Sequence, residues 1–64
     1  MMRISLKAAR VNAGLTQMEV SEKLGISKKT VHSWENGKTK PKLDKVEPLC
    51  FLYGLTYDDI EWNV

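Results

Sequence analysis

The sequence has one cysteine, one histidine, four glycines and no long apolar run. A single cysteine excludes a disulfide within the chain, and neither a glycine-rich phosphate loop nor the spacing of metal ligands is present. A helix that spans a bilayer needs about 20 apolar residues in succession, far more than any run in this chain. We therefore expect a single domain over residues 1–64, located in the cytoplasm, with no metal, cofactor or membrane partner.

The clearest local signal is the start of a helix after Thr16. Thr16 and Glu19 have the spacing of a capping box, in which the hydroxyl and the carboxylate each accept a hydrogen bond from a backbone N–H near the helix start. Val20 and Leu24 lie four residues apart and so share one helix face. Gly25 can adopt the left-handed conformation that ends a helix. The pattern predicts a short helix followed by a sharp turn.

A second helix is predicted immediately after this turn. Ser27 can cap its start, and Val31 and Trp34, three residues apart, form its buried stripe. At about 100° per residue, the opposite face carries only polar and cationic side chains. These are Lys29, His32, Ser33 and Asn36, and Lys28 flanks them in the first turn. Two short helices joined by a tight turn, with such a face outward, have the layout of a helix-turn-helix that reads DNA.

Charge is distributed unevenly along the chain, although the net charge is only +2. Residues 27–45 carry six lysines against two acidic residues, whereas residues 46–64 carry four acidic residues and no lysine or arginine. A polyanion would therefore meet the second predicted helix and the loop after it, and would be repelled by the C-terminal end. A soluble surface with uneven charges is the alternative explanation.

The remaining sequence shows no alternating strand pattern, so we expect an all-α fold of five helices. The first helix is predicted over Ser5–Asn12. The fourth should start late, between residues 44 and 47, because Pro48 is tolerated only in a first helical turn. A last short helix should carry Ile60 and Trp62.

Several short motifs occur together at fixed spacings over about residues 4–62. They are Arg10, Gly14-Leu15-Thr16-Gln17, Leu24-Gly25, Val31, Trp34-Glu35-Asn36-Gly37 and the lysine-rich loop that contains Pro41. With these motifs the chain resembles the phage-repressor and Cro proteins, often called the XRE family. The resemblance implies a compact five-helix, lambda-repressor-like domain with its helix-turn-helix at helices 2 and 3. It also implies binding of double-stranded operator DNA, usually by a symmetric homodimer, with helix 3 in the major groove.

The resemblance implies DNA-contacting roles for a group of residues on and beside helix 3. Positions that match base and phosphate contacts in the family are Ser27, Lys28, Lys29, Thr30 and Ser33. Lys28 or Lys29 is the expected donor to guanine O6 and N7. His32 lies on the same face, and a contact to a phosphate or groove atom is favoured over a pH switch or a metal ligand.

Phosphate contacts and one structural pair complete the implied set. Gln17, at the start of helix 2, matches a glutamine that contacts a backbone phosphate, and the local helix dipole suits an anion. Positions where the family grips phosphate around the loop after helix 3 are Asn36, Lys38 and Lys40. Arg10 and Glu35 match a pair that ties helix 1 to the end of helix 3.

The sequence therefore indicates a transcriptional regulator on the nucleoid, a repressor that covers a promoter, and no enzyme. An antitoxin-type autorepressor that also binds a protein toxin is the alternative, and a DNA-bending architectural protein is a third interpretation. One small module gives limited specificity, so a homodimer is expected, assembled in solution or only on DNA. Its interface is predicted at Leu55, Tyr57 and Trp62, with Trp62 capping its own core as the open alternative.

Overall fold

The structure is a computed structural model that describes residues 3–62. In chain order its elements are β1 (Ile4–Ser5), α1 (Leu6–Asn12), α2 (Gln17–Leu24), α3 (Lys28–Glu35), α4 (Leu43–Tyr53), a 3-10 turn (Tyr57–Asp59) and β2 (Ile60–Glu61). The mostly helical architecture is confirmed, with the helix-turn-helix formed by α2 and α3. Within the described range, no helix is long and apolar enough to cross a membrane.

Local capping decides where the first two helices begin. The Ser5 hydroxyl accepts a hydrogen bond from the Ala8 N–H at 3.0 Å. At α2, the Glu19 N–H donates to the Thr16 hydroxyl at 3.1 Å, and the Thr16 N–H donates to the Glu19 carboxylate at 2.9 Å. The bond from the Thr16 backbone holds the pKa of Glu19 below its usual value. Gly25 ends α2 with a φ of 68°, so both predicted ends of this helix are confirmed.

One buried core joins all four helices and β2. Its members are Leu6, Ala9, Val20, Val31, Trp34, Leu49, Tyr53 and Ile60. Val31 and Trp34, the residues predicted to face inward on α3, are therefore in the core. Ser21 of α2 is also buried, with 4% of its surface exposed, and its small side chain leaves room for a neighbouring helix. Cys50 packs against the edge of this core, and desolvation raises the pKa of its thiol.

The fourth helix begins earlier than the sequence predicts. It spans Leu43–Tyr53, with Lys42 as its N-cap and Pro48 in its interior, so the predicted start between residues 44 and 47 was wrong. The first turn forms without the proline, because the Lys45 N–H donates to the Lys42 carbonyl at 2.8 Å. Pro48 lies on the exposed side, where its missing N–H deprives only the Asp44 carbonyl of its usual helical donor.

The prediction of a fifth helix was also wrong. Within residues 3–62 there are four α-helices, and the last segment forms the 3-10 turn followed by β2. β2 pairs in parallel with β1, with Ile4 opposite Ile60 and Ser5 opposite Glu61. Each strand has only two residues, too few to show an alternating pattern, and its partner lies at the other end of the chain. The pairing therefore has no local signal in the sequence.

Candidate nucleic-acid interface

Two hydrogen bonds hold the end of α2, where the turn to α3 begins. The Ile26 N–H donates to the Ser21 carbonyl at 3.0 Å, which closes the chain over Gly25. From α4, the Lys45 ammonium donates to the Leu24 carbonyl at 3.2 Å and so caps the C-terminus of α2. Although Lys45 belongs to the basic stretch of the sequence, its ammonium has a structural partner within the fold. Both bonds secure the C-terminal end of α2, from which the chain turns into α3.

The outer face of α3 is polar and cationic, as its periodicity predicts. Val31 and Trp34 are buried beneath it, with 1% and 7% of their surface exposed. On the opposite side, Lys28, Lys29 and His32 are exposed. Exposed apolar side chains are absent from α3, so nothing on this face competes with a polar ligand. An exposed helix face of this kind can present donors to base edges in a major groove.

The start of α3 is fixed by two hydroxyls. The Ser27 hydroxyl accepts a hydrogen bond from the Thr30 N–H at 3.1 Å and lies 2.9 Å from the Thr30 hydroxyl. Ser27 and Thr30 were both predicted to contact DNA. In the free chain they bond to each other and thereby hold the first turn, from which Lys28 and Lys29 project. Each hydroxyl keeps further capacity, since it can both donate and accept.

The end of α3 directs the basic loop away from the core. The Asn36 side-chain amide donates to the His32 carbonyl at 2.9 Å, and Gly37 adopts a φ of 73°. The Lys38 N–H then donates back to the Ser33 carbonyl at 3.0 Å, which satisfies a carbonyl in the last turn. Asn36 therefore serves as a helix cap, and Lys38 emerges exposed immediately after it.

A surface groove lies between α3 and the start of α4. Its lining includes four lysines and one carboxylate, together with short hydroxyl side chains. The charged members are Lys29, Lys40, Lys42, Lys45 and Asp44. The hydroxyl members are Ser27, Thr30, Ser33 and Thr39. Lys42 and Thr39 are absent from the predicted site, although Lys42 lies in the basic stretch that the charge distribution identifies. The groove brings residues from the two ends of the basic stretch to one surface.

A buried ion pair joins α1 to the end of α3. Arg10 Nε lies 2.7 Å from Glu35 Oε2, and the two side chains are 11% and 4% exposed. A second guanidinium nitrogen of Arg10 donates to Glu35 Oε1 at 3.3 Å, and the third donates to the Leu15 carbonyl at 2.9 Å. The hydrogen bond with Glu35 raises the pKa of Arg10 above its usual value. The pair therefore links the first helix, the loop before α2 and the last residue of α3.

Gln17 is part of the same network. Its side-chain amide donates to Glu35 Oε1 at 3.0 Å, and the side chain is half-buried at the start of α2. The sequence predicts a phosphate contact for Gln17 but contains no signal for this bond. The bond joins the first residue of α2 to the last residue of α3 and so braces the two helices against each other.

The C-terminal segment packs partly on its own core. Leu55 and Trp62 are half-buried against the core, and the Trp62 ring stacks on Tyr57 with centroids 5.3 Å apart and 17° between planes. The Trp62 indole N–H donates to the Tyr57 carbonyl at 2.8 Å. Tyr57 is 56% exposed, so two of the three predicted interface residues form a stacked aromatic pair that is partly open to solvent.

Comparison with known proteins also identifies a helix-turn-helix domain. A family profile described as a helix-turn-helix domain matches residues 2–62. The cryptic phage CTXphi transcriptional repressor RstR of Vibrio cholerae is 38% identical over 50 residues, which cover 78% of this chain and 45% of that protein. An uncharacterized HTH-type transcriptional regulator, MJ0272 of Methanocaldococcus jannaschii, is 34% identical over 59 residues, 92% of this chain and 89% of that protein.

A third relative is more distant. The HTH-type transcriptional activator BcrR of Enterococcus faecalis is 27% identical over 55 residues, 86% of this chain and 27% of that protein. The chain thus spans less than half the length of RstR and BcrR. No solved structure matches the chain significantly. Because the family profile covers nearly the whole sequence and agrees with the α2–turn–α3 geometry, the chain belongs to the helix-turn-helix domain family, as its phage-repressor and Cro-like motifs predict.

Proposed function

We propose that this protein is a sequence-specific, DNA-binding transcriptional regulator that inserts α3 into the major groove. The observation that carries the proposal is the outward face of α3, which is polar and cationic above the buried Val31 and Trp34. A basic groove continues that face toward α4. The protein acts by binding alone, on double-stranded DNA in the cytoplasm.

Residues in the first two turns of α3 contact the bases. Lys28 and Lys29 project from the first turn and can donate to guanine O6 and N7, while Ser33 lies one turn further along, within reach of groove atoms. His32 lies on the exposed side and can donate to a phosphate or groove atom. Because base contacts specify and phosphate contacts position, the two lysines should determine which operator is chosen.

Phosphate contacts surround this helix. Asn36, Lys38 and Lys40 grip the backbone beyond the end of α3, where their side chains are exposed. Gln17 can contribute as well, because an amide has two N–H donors and only one is needed for Glu35. Its bond to Glu35 would then hold the second donor in a fixed direction at the N-terminus of α2. Such contacts set affinity and its salt dependence rather than sequence choice.

A protein bound over a promoter represses transcription by occupying that DNA. Covering a promoter requires no contact beyond the DNA interface, and RstR, one relative, is named a transcriptional repressor. A single module of this size buries about 600–1,000 Å² on DNA, which limits its specificity, so the protein acts as a homodimer. The stacked Tyr57–Trp62 pair, whose tyrosine is 56% exposed, is the proposed dimer contact.

Selection of bound sequences from random duplex DNA tests the proposal. At near-physiological salt we expect an inverted repeat with half-sites about 34 Å apart, one helical turn from centre to centre. The Lys29→Ala variant should select altered bases within each half-site, whereas Lys7→Ala, a lysine of α1 outside the groove lining, should select the same sequence. A folded protein that enriches no sequence would contradict the proposal, and a single unrepeated half-site would contradict the homodimer.

A further inference from the structure

The outer face of α4 is apolar and uncovered. Leu43 is 87% exposed and Phe51 is 89% exposed, the two most exposed large apolar side chains of the described chain. Pro48 is exposed between them. At about 100° per residue, these three side chains fall within an arc of about 140° that faces away from the core residues of the helix. A single exposed leucine would be unremarkable, but apolar side chains two turns apart on one face form a stripe.

The rim of this stripe is acidic. Asp44 and Glu47 are exposed in the same arc and line the same shallow groove as Leu43, Pro48 and Phe51. This arc of α4 contains no basic residue. Lys45 lies outside the arc and is half-buried, with its ammonium on the Leu24 carbonyl. Every charged residue after Lys45 is acidic. Basic residues border the N-terminal end of the stripe, where Lys42 precedes Leu43 and where Arg3 and Lys40 line a pocket with Leu43. The negative field is therefore strongest around Glu47 and Phe51.

One backbone acceptor adds to this surface. Because Pro48 has no N–H, the Asp44 carbonyl lacks the usual donor four residues later in the helix. Both residues are exposed, so this carbonyl can accept a hydrogen bond from outside the helix. The stripe therefore combines three apolar anchors, two carboxylates and a backbone acceptor, and offers no charged donor.

We propose that this face docks a basic amphipathic helix of another protein. Its apolar residues would cover Leu43 and Phe51, and its lysines or arginines would pair with Asp44 and Glu47. Charge complementarity selects this occupant over two others. DNA is a polyanion and is repelled. A second copy paired antiparallel about an axis near Glu47 would bring the acidic residues of both helices together, which is unfavourable.

The docking face is separate from the DNA interface. Its lining and that of the basic groove have only Asp44 in common. A partner on α4 would therefore leave the outer face of α3 open, and the protein could hold DNA and a second protein together. The docking face adjoins the proposed dimer contact, because Leu43 lines one pocket together with Tyr57 and Trp62. The inference does not depend on the operator sequence.

A pair of synthetic peptides tests the proposal directly. The first is a fluorescent peptide of about 18 residues with leucines at a spacing of three and four residues and lysines beside them, and the second carries glutamate in place of lysine. Fluorescence anisotropy should detect binding of the basic peptide and none of the acidic one. Phe51→Ser should weaken binding about tenfold or more, and Glu47→Lys should weaken it while allowing the acidic peptide to bind.

Two control variants change similar exposed side chains on other helices, outside the docking face. Val11→Ser removes an apolar side chain of α1 that is 56% exposed, and Glu22→Lys reverses an exposed charge on α2. Both should bind the basic peptide like the unchanged protein, and circular dichroism checks that every variant is folded. Equal binding by the folded Phe51→Ser protein, or binding of both peptides by the unchanged one, would overturn the proposal. A second result would also overturn it. If sedimentation shows that the unchanged protein self-associates and that Phe51→Ser abolishes this, the occupant of the face is a second copy of the chain.

Discussion

Removing Arg10 should cost this domain a large share of its stability. The Glu35 side chain is 4% exposed. In Arg10→Met its carboxylate loses both guanidinium bonds, at 2.7 and 3.3 Å, and keeps the amide of Gln17. Breaking a buried pair by removing one partner costs about 3–5 kcal/mol, because an uncompensated charge stays in the interior. The Leu15 carbonyl also loses its donor at 2.9 Å.

This loss is large for a chain of 64 residues. At about 0.05–0.15 kcal/mol per residue, the whole domain has a free energy of unfolding of roughly 3–10 kcal/mol. Arg10→Met should therefore lose about a third of the free energy of unfolding at the upper end of this range, and all of it at the lower end. The double variant Arg10→Met with Glu35→Leu removes both charges, so it should recover much of the loss and show a coupling energy between the two sites.

Urea denaturation followed by circular dichroism measures these differences. The cost of Arg10→Met should be nearly the same at low and high salt, since buried pairs are screened far less than exposed ones. Glu22→Gln, an exposed carboxylate on α2, is the matched control and should change the free energy of unfolding by less than about 0.5 kcal/mol. A cost below about 1 kcal/mol for Arg10→Met, the value typical of a surface pair, would refute the reasoning.

Three further predictions concern DNA reading, α4 and alkaline pH. In gel-shift titrations, Lys29→Ala should lose about 1–3 kcal/mol on the selected operator only, whereas Lys38→Ala should weaken binding to all duplexes and lower the salt slope; equal losses for both variants would contradict the assigned roles. Pro48→Ala should raise the urea midpoint, because it restores a helical donor for the Asp44 carbonyl; a lower midpoint would argue against a helix that begins at Leu43. Burial raises the pKa of Tyr53 from its ordinary value of 10.0 to about 12, so its neutral form stabilises the fold fully below pH 10, and this contribution is lost as the pH rises to 12. Tyr53→Phe should show a smaller alkaline loss of stability, and identical pH profiles would contradict this.

Much of the local structure is decided by short-range chemistry that the sequence displays. Ser5 and the Thr16–Glu19 pair start their helices through bonds over three residues, and Gly25 ends α2 through its own backbone freedom. The inward positions Val31 and Trp34 follow from helical periodicity, and the outward side of α3 is then fixed because it lies opposite them. The placement of the candidate DNA-reading face could therefore be predicted from residues 27–36 alone.

The sites of wrong or missing predictions are those where distant segments meet. The bond from the Gln17 amide to Glu35 is missing from the sequence analysis, because only the packing of α2 against α3 brings the two side chains together. The phosphate contact of Gln17 stays a prediction. Lys45 counts as a surface charge in the sequence, yet the position of α4 places its ammonium on the Leu24 carbonyl. Pro48 was expected in a first turn, but it is tolerated inside α4 because the side of the helix that carries it faces solvent.

The sequence by itself determined the helix-turn-helix, its caps, its inner stripe and the polarity of its outer face, because each depends on residues within one or two turns of one another. Only the tertiary structure decided the parallel pairing of Ile4–Ser5 with Ile60–Glu61, the bracing of Glu35 and the exposed stripe on α4. These features depend on which segments, far apart in the chain, come to share one core. Packing between those segments stabilises them, and no local sequence pattern indicates which segments will meet.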